Sequence, residues 1–258
     1  MTDLRAYLSN EGEDITEDTR IYRVFSGERL LEMFRDNNLS LVVPAKWDDP
    51  FENFLAKCRA EYGAYNNVDI SRLFRNFYGQ CWTLNNETDA MWRIYSLHKD
   101  GARVSTTVGR LLRSILVESD PYLSMAYYIG SVGYRTEEQI RDTFENQENA
   151  TAVAFDQTGR NQARMLFLKR EEFRHEREVR LLYRWWEHDT GEQRLEEVRQ
   201  FPIEPSALFD DVLFDPRLDE TTLPTRTSEL RTLGFANHIG QSTLYKVPNL
   251  RIRLSSPF

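Results

Sequence analysis

The densest candidate chemistry lies in one stretch, His175-Glu176-Arg177-Glu178-Val179-Arg180-Leu181-Leu182. Read as a strand, it projects Glu176, Glu178 and Arg180 from one face, because side chains alternate across a pleat. Two carboxylates two residues apart on a strand stand roughly 6–7 Å apart. They repel each other, so a flanking arginine, a bound cation or a cationic reaction centre has to offset them. Between Arg164 and Arg184 seven Arg/Lys residues face four Glu. The stretch is therefore locally basic, and a solvated, ion-paired sheet edge explains the same pattern.

Two further elements carry reactive or ligand-binding types. Ile21-Tyr22-Arg23 sets an arginine between apolar residues near the start of the chain. A half-buried guanidinium must find an anion or a carbonyl, and Glu28, Glu32 and the Asp48/Asp49 loop are in reach along the chain. Cys81-Trp82-Thr83 is followed by Met91-Trp92-Arg93-Ile94-Tyr95. Trp82, Trp92 and Tyr95 form either a wall for a planar ring or part of the core. Asp48, Asp49 and Glu52 could join Glu176 and Glu178 around a divalent ion, or shape a corner around Pro50. His98, His175, His188 and His238 fit no zinc-ligand spacing, and no glycine-rich phosphate loop occurs.

The elements that must hold these residues read as follows. Arg20–Phe25 is a strand, and Ser26 caps a helix with Leu30, Leu31 and Phe34 on one face. Leu39–Val43 is a second strand. Residues 54–65 and 68–77 read as helical, Gln80–Leu84 as a buried strand, and Thr88 or Asp89 as the cap of a helix running toward Gly101. Arg103–Val108 and Ala126–Tyr134 read as strands, with a helix through Leu111, Leu112 and Ile115 between them. Glu137–Glu145 and Ala150–Ala154 read as helical. Glu178–Trp186 is a central strand, and Phe201–Ile203, Leu208–Phe214 and Leu244–Arg253 are further strands. Short strands between irregular helices make an α+β fold, a single domain with a mixed, mostly antiparallel sheet flanked by helices. No regular βαβ series appears. Residues 1–19 read as an acidic leader and 20–258 as that single domain.

Composition bounds the rest. The 258 residues include 32 aromatic rings and are 40% hydrophobic, enough for a core of ordinary size. With 33 Lys/Arg against 41 Asp/Glu the chain carries −8, which opposes coating nucleic acid by bulk charge. Arg93, Lys99, Arg103, Arg110 and Arg113 against Asp100 still make a local basic strip, compatible with a phosphate-bearing acceptor or with a solvated face. No apolar run nears the ~18 residues of a membrane span. Cys58 and Cys81 give no disulfide framework, so a cytoplasmic, reducing setting is the expectation.

The ordered set Ile21-Tyr22-Arg23, Trp47-Asp48-Asp49-Pro50-Phe51-Glu52, Cys81-Trp82-Thr83, Met91-Trp92-x-x-Tyr95, Lys169 and Glu176-x-Glu178-x-Arg180 resembles the microbial family catalogued as domain of unknown function 2971. The resemblance spans about residues 20–185. Asp48 stands where that family usually has Asn, Trp82-Thr83 replaces Phe-Ser, and the segment after Gly101 lacks the usual apolar-Gly-Phe ending. The order of elements is also similar to ADP-ribosyltransferases. That second resemblance implies NAD as a substrate and an ADP-ribosyltransferase-like fold. It implies Arg23 at the NAD-binding position, Thr83 as the middle-strand hydroxyl, Glu178 as catalytic carboxylate and Glu176 as its auxiliary. An aromatic such as Trp92 or Tyr95 would then sandwich the nicotinamide. It further implies a toxin or phage-defence effector acting on a nucleic acid or protein acceptor, with an antitoxin or other partner protein. Two other readings stand beside it. One is a metal-dependent nuclease or phosphohydrolase using Asp48, Asp49, Glu52, Glu176 and Glu178; the other is a non-catalytic recognition module in which the two glutamates only pair with arginine.

Overall fold

A computed structural model of the chain describes residues 4–47, 59–62, 65–120, 122–186 and 196–253. In chain order the elements are β1 (Arg20–Phe25), α1 (Gly27–Asp36), β2 (Asn38–Val42), β3 (Arg59–Tyr62), β4 (Tyr65–Asp69) and β5 (Phe77–Thr83). Then come α2 (Asp89–Tyr95), β6 (Ala102–Thr107), α3 (Val108–Ile115), α4 (Leu123–Ala126), β7 (Tyr127–Ser131) and β8 (Gly133–Arg135). The second half holds α5 (Glu137–Glu145), α6 (Gln147–Phe155), α7 (Arg160–Met165), β9 (Leu168–Arg170) and β10 (Glu178–Arg184). It closes with β11 (Val198–Pro202), α8 (Pro205–Leu208), β12 (Asp211–Phe214), α9 (Leu223–Thr232) and β13 (His238–Gln241).

Local chemistry accounts for many of these boundaries. The Ser26 hydroxyl accepts from the Arg29 N–H and starts α1; Asn37, left-handed at φ 51°, stops it by returning its N–H to the Met33 carbonyl. Thr88 and Thr107 cap α2 and α3 in the same way. Thr136 and Gln139 form a reciprocal capping box on α5.

The main sheet runs β11-β2-β5-β1-β6-β12-β13, with β10 on the other edge of β5 and β7 beyond it. Its pairings are antiparallel except β12 with β13. The fold is thus α+β with a mixed, mostly antiparallel sheet, as the strand pattern implies. One face packs the larger core, where Trp82 stacks on Phe209 at 6.4 Å and Phe34 meets Phe235 edge-on at 5.2 Å. Such ring pairs add about 0.5–1.5 kcal/mol each beyond the area they bury. Phe77, Tyr128, Leu182 and Phe167 form a second, smaller cluster with α6 and α7.

One edge of β5 is shared between two neighbours. β2 meets it at Val42↔Gly79 and β1 at Tyr22↔Thr83. Side chains bridge the interval: Gln80 Nε2 donates to the Ser40 carbonyl at 3.0 Å, and Arg23 Nη1 donates to the Cys81 carbonyl.

The acidic first segment lies along β7. Leu4 and Tyr7 are buried, the Ser9 N–H donates to the Ile129 carbonyl at 2.9 Å, and the Glu11 N–H donates to Ser131 at 3.2 Å. Gly130 permits this approach, since a Cβ there would lie 1.7 Å from the Ser9 carbonyl oxygen. Gly130→Ala is therefore expected to cost about 1–3 kcal/mol and to expose residues 4–13 to protease. Urea melts and limited proteolysis would show both; a variant indistinguishable from the parent would contradict this packing.

Four sequence expectations change. Residues 59–62 and 65–69, read as helical, pair as a hairpin (Ala60↔Val68), and Ser71–Leu73 is a single 3-10 turn. Strand preference is settled by available partners more than by local propensity. Residues 54–58 lie outside the described residues. The Ala126–Tyr134 strand is broken at Val132 into β7 and β8, because β8 leaves the main sheet to pair in parallel with β9. α2 ends at Tyr95, where Ser96 turns back to accept the Gly101 N–H at 3.0 Å. Residues 244–253 form no strand, since β13 already occupies the free edge of β12 and Pro248 has no N–H to give a ladder.

Candidate active site

Cross-strand register brings the candidate residues level. Thr83 is opposite Tyr22 on one side and Glu178 on the other, so residues about 60 and 95 positions apart in the chain meet across β1, β5 and β10. Arg23, next to Tyr22, is half-buried, and its guanidinium also lies over the Phe25 ring at 5.0 Å. Burial lowers its pKa, and the nearby Cys81, Tyr95 and Glu178 partly counter that. Neither Glu28 nor Glu32 pairs with it, and its Nε is buried without a hydrogen-bond partner among the described residues.

The two glutamates reach each other by a route the strand reading did not anticipate. Residues Glu171–Glu176 form a 3-10 helix, Arg177 turns left-handed at φ 42° and ψ 57°, and β10 begins only at Glu178. A non-glycine residue there costs roughly 1–2 kcal/mol. The turn, not strand alternation, puts both carboxylates on one cation. Lys169 Nζ lies 2.6 Å from Glu176 Oε2 and 3.1 Å from Glu178 Oε2. Arg180, fully buried, donates from Nε to Glu178 Oε1 at 2.8 Å and from Nη2 to Oε2 at 3.0 Å. The Glu178 N–H donates to the Tyr134 hydroxyl at 2.8 Å.

Burial alone would raise the Glu178 pKa. Arg180 and Lys169, aided by the Cys81 thiol, overcome it and hold the carboxyl down at about 2. Glu178 is therefore a fixed anion, with both oxygens engaged and 4% of its surface exposed. Among the described residues the cluster holds two carboxylates, one ammonium and one guanidinium.

The other candidates are placed as follows. Thr83 is buried; its hydroxyl donates to the Glu176 carbonyl and accepts from the Asn85 N–H at 3.0 Å, so it ties β5 to the turn before Glu178. Tyr95 turns its hydroxyl to 3.4 Å from Glu176 Oε1 and keeps 42% of its surface exposed. Burial first, then Glu176, pushes its pKa up. Trp92 is 1% exposed, with its Nε1 donating to Glu87 Oε1 at 2.8 Å. Trp82 packs in the larger core on the opposite face of β5 from Thr83. The three aromatics thus form no common wall, and Tyr95 is the one with an open ring. A cavity of about 10 Å³ beside Thr83 and Trp92 also touches Arg103, whose Nε lacks a hydrogen-bond partner. That space suits about one water.

Lys169 and Arg180 stood in the quoted motifs without a site role, and Tyr134 stood in none. The demand that something cancel the Glu176–Glu178 repulsion was the signal for Lys169. Asp48, Asp49 and Glu52 lie outside the described residues. Among the described residues, no group of three or more His, Cys, Asp or Glu is arranged to hold a metal ion. No helix among them is long and apolar enough to cross a membrane.

Residues 91–181 match the model of a family described as protein of unknown function, DUF2971. The matched stretch runs from Met91 to Leu181, and so includes Trp92, Tyr95, Lys169 and the Glu176-x-Glu178-x-Arg180 motif. No curated protein matches the chain. Among solved structures, it is similar to Thermus sp. 2.9 DarT in complex with ADP-ribosylated ssDNA, at 10% identity and TM-score 0.40, covering 89% of this chain and 97% of that one. The same protein with NAD+ superposes at 10% identity and TM-score 0.38, covering 89% and 98%. With carba-NAD+ the values are 11% and 0.38, over 88% and 97%.

Proposed function

We propose that the chain is an NAD-consuming ADP-ribosyltransferase with its reaction centre where β1, β5 and β10 come level. The observation that carries this reading is the level pairing of Tyr22, Thr83 and Glu178 across β1, β5 and β10, with Arg23 beside it bonded to the Cys81 carbonyl and Glu176 joined to Glu178 through Lys169. Cleavage of the nicotinamide–ribose bond develops positive charge on the sugar, which a fixed carboxylate in a dry site stabilises. Glu178, held ionised, is that carboxylate. The guanidinium of Arg23 takes a phosphate oxygen, and the exposed part of Tyr95 receives the nicotinamide ring. Glu176 orients the acceptor, a nucleic acid or a protein, in keeping with a toxin or phage-defence role. Because the Glu178 oxygens are already engaged, a ribose hydroxyl would displace the Lys169 or Cys81 contact. Glu178→Gln is expected to reduce nicotinamide release from NAD⁺ by ~10²–10³. Release by the parent protein no faster than by Glu178→Gln would remove the proposal.

The saturation of Glu178 and the burial of Trp92 favour a second reading, a recognition module in which the charges only build the scaffold. Binding of a partner unaffected by Glu178→Gln would support it. The metal-dependent nuclease reading is weakened because Lys169 Nζ fills the space between the two carboxylates.

A further inference from the structure

We propose that Glu13 and Arg177 are positioning residues for the Glu176–Glu178 pair, making the N-terminal segment part of the site. The catalytic consequence rests on the transferase reading above, but the geometry does not. Arg177 is the left-handed residue that swings Glu176 and Glu178 onto Lys169. Its backbone is tied by its carbonyl, which accepts from the Leu84 N–H at 2.9 Å, and by its N–H, which donates to Arg174 at 3.1 Å. Its side chain reaches a different element. Arg177 Nε and Nη2 form a two-point pair with Glu13 Oε1 and Oε2 at 2.7 and 2.5 Å.

Glu13 is itself held. Its carbonyl accepts from the Ser131 hydroxyl at 2.6 Å, which also accepts from the Gly12 N–H at 3.3 Å. Two residues earlier, Glu11 pairs with Arg164 at 2.8 Å. The segment is therefore fixed to β7 before it reaches Arg177, and the planar fork of Arg177 converts that anchorage into a constraint on the turn. The pair is half-exposed, with side-chain exposures of 46% and 51%, so its strength must depend on salt.

Amide hydrogen exchange on the full chain tests this at Leu84 and Glu178, the two N–H groups that report on the turn. Glu13→Gln is expected to speed both by about threefold at low salt, with the difference shrinking at high salt and Leu181 unchanged. Arg177→Lys, which keeps the charge but not the fork, is expected to fall between. Glu13→Arg with Arg177→Glu, which keeps a fork facing a carboxylate, is expected to restore parental exchange. In nicotinamide release, Glu13→Gln is expected to lower kcat by a similar factor with KM for NAD⁺ unchanged. Parental exchange at both amides in Glu13→Gln would overturn the proposal whatever the activity. Faster exchange in a protein that releases no nicotinamide would uphold the positioning role and remove the transferase reading alone.

Discussion

Arg180→Met is expected to destabilise the protein by about 3–5 kcal/mol. The guanidinium is fully buried, holds both oxygens of Glu178, donates Nη1 to the Leu166 carbonyl and lies 4.4 Å from the Trp47 ring. Methionine replaces most of the aliphatic stem but none of the donors, so a buried carboxylate loses its main counter-charge. The pH dependence carries a definite sign. In the parent, the Glu178 pKa is depressed, so its contribution is present above about pH 4.5 and fades as pH falls toward about 2. Without Arg180 the depression shrinks, and the penalty should be largest near neutral pH and smaller in acid. Urea melts between pH 3 and pH 7 would show it. Adding Glu178→Gln to Arg180→Met should recover part of the loss, because an amide leaves no unpaired ion. A double variant no more stable than Arg180→Met would show that the stability lies in packing instead.

Lys169→Met has a comparable expected effect, about 3–5 kcal/mol, through a different imbalance. The ammonium is the cation shared by Glu176 and Glu178, and all three side chains are nearly buried. Among the described residues, its loss leaves two carboxylates beside one guanidinium. Glu176→Gln in the same chain restores equal charge, with Glu178 still paired to Arg180, and should recover most of the stability. Glu178→Gln combined with Lys169→Met also equalises the charge, but it loses the two-point pairing with Arg180 and should recover less. Equal recovery by both would mean that only net charge matters and not the fork geometry of Arg180.

How much of this was readable in advance differs by element. Arg20–Phe25 and Glu178–Arg184 announce themselves because apolar side chains at period two and β-branched or aromatic types leave few alternatives. Ser26, Thr88 and Asn37 set helix ends because their side chains or backbone serve groups within a few residues. Residues 59–62, 65–69 and 244–253 depart from their local pattern because a strand exists only where another strand offers an edge, and that offer is made elsewhere in the fold.

The same division runs through the site. Residue types alone determined that the Glu-x-Glu needed a compensating cation and that Arg23 needed an acceptor, since charge and burial are properties of the side chains themselves. Tertiary structure decided which cation and which acceptor. Lys169 serves both glutamates because β9 and the left-handed turn at Arg177 approach each other, and Arg23 finds the Cys81 carbonyl where β1 and β2 part along β5. Tertiary packing also left Tyr95 open while it closed Trp92 and sent Trp82 to the other face. Pairing register and the left-handed residue are long-range outcomes of packing, and no local pattern of side chains encodes them.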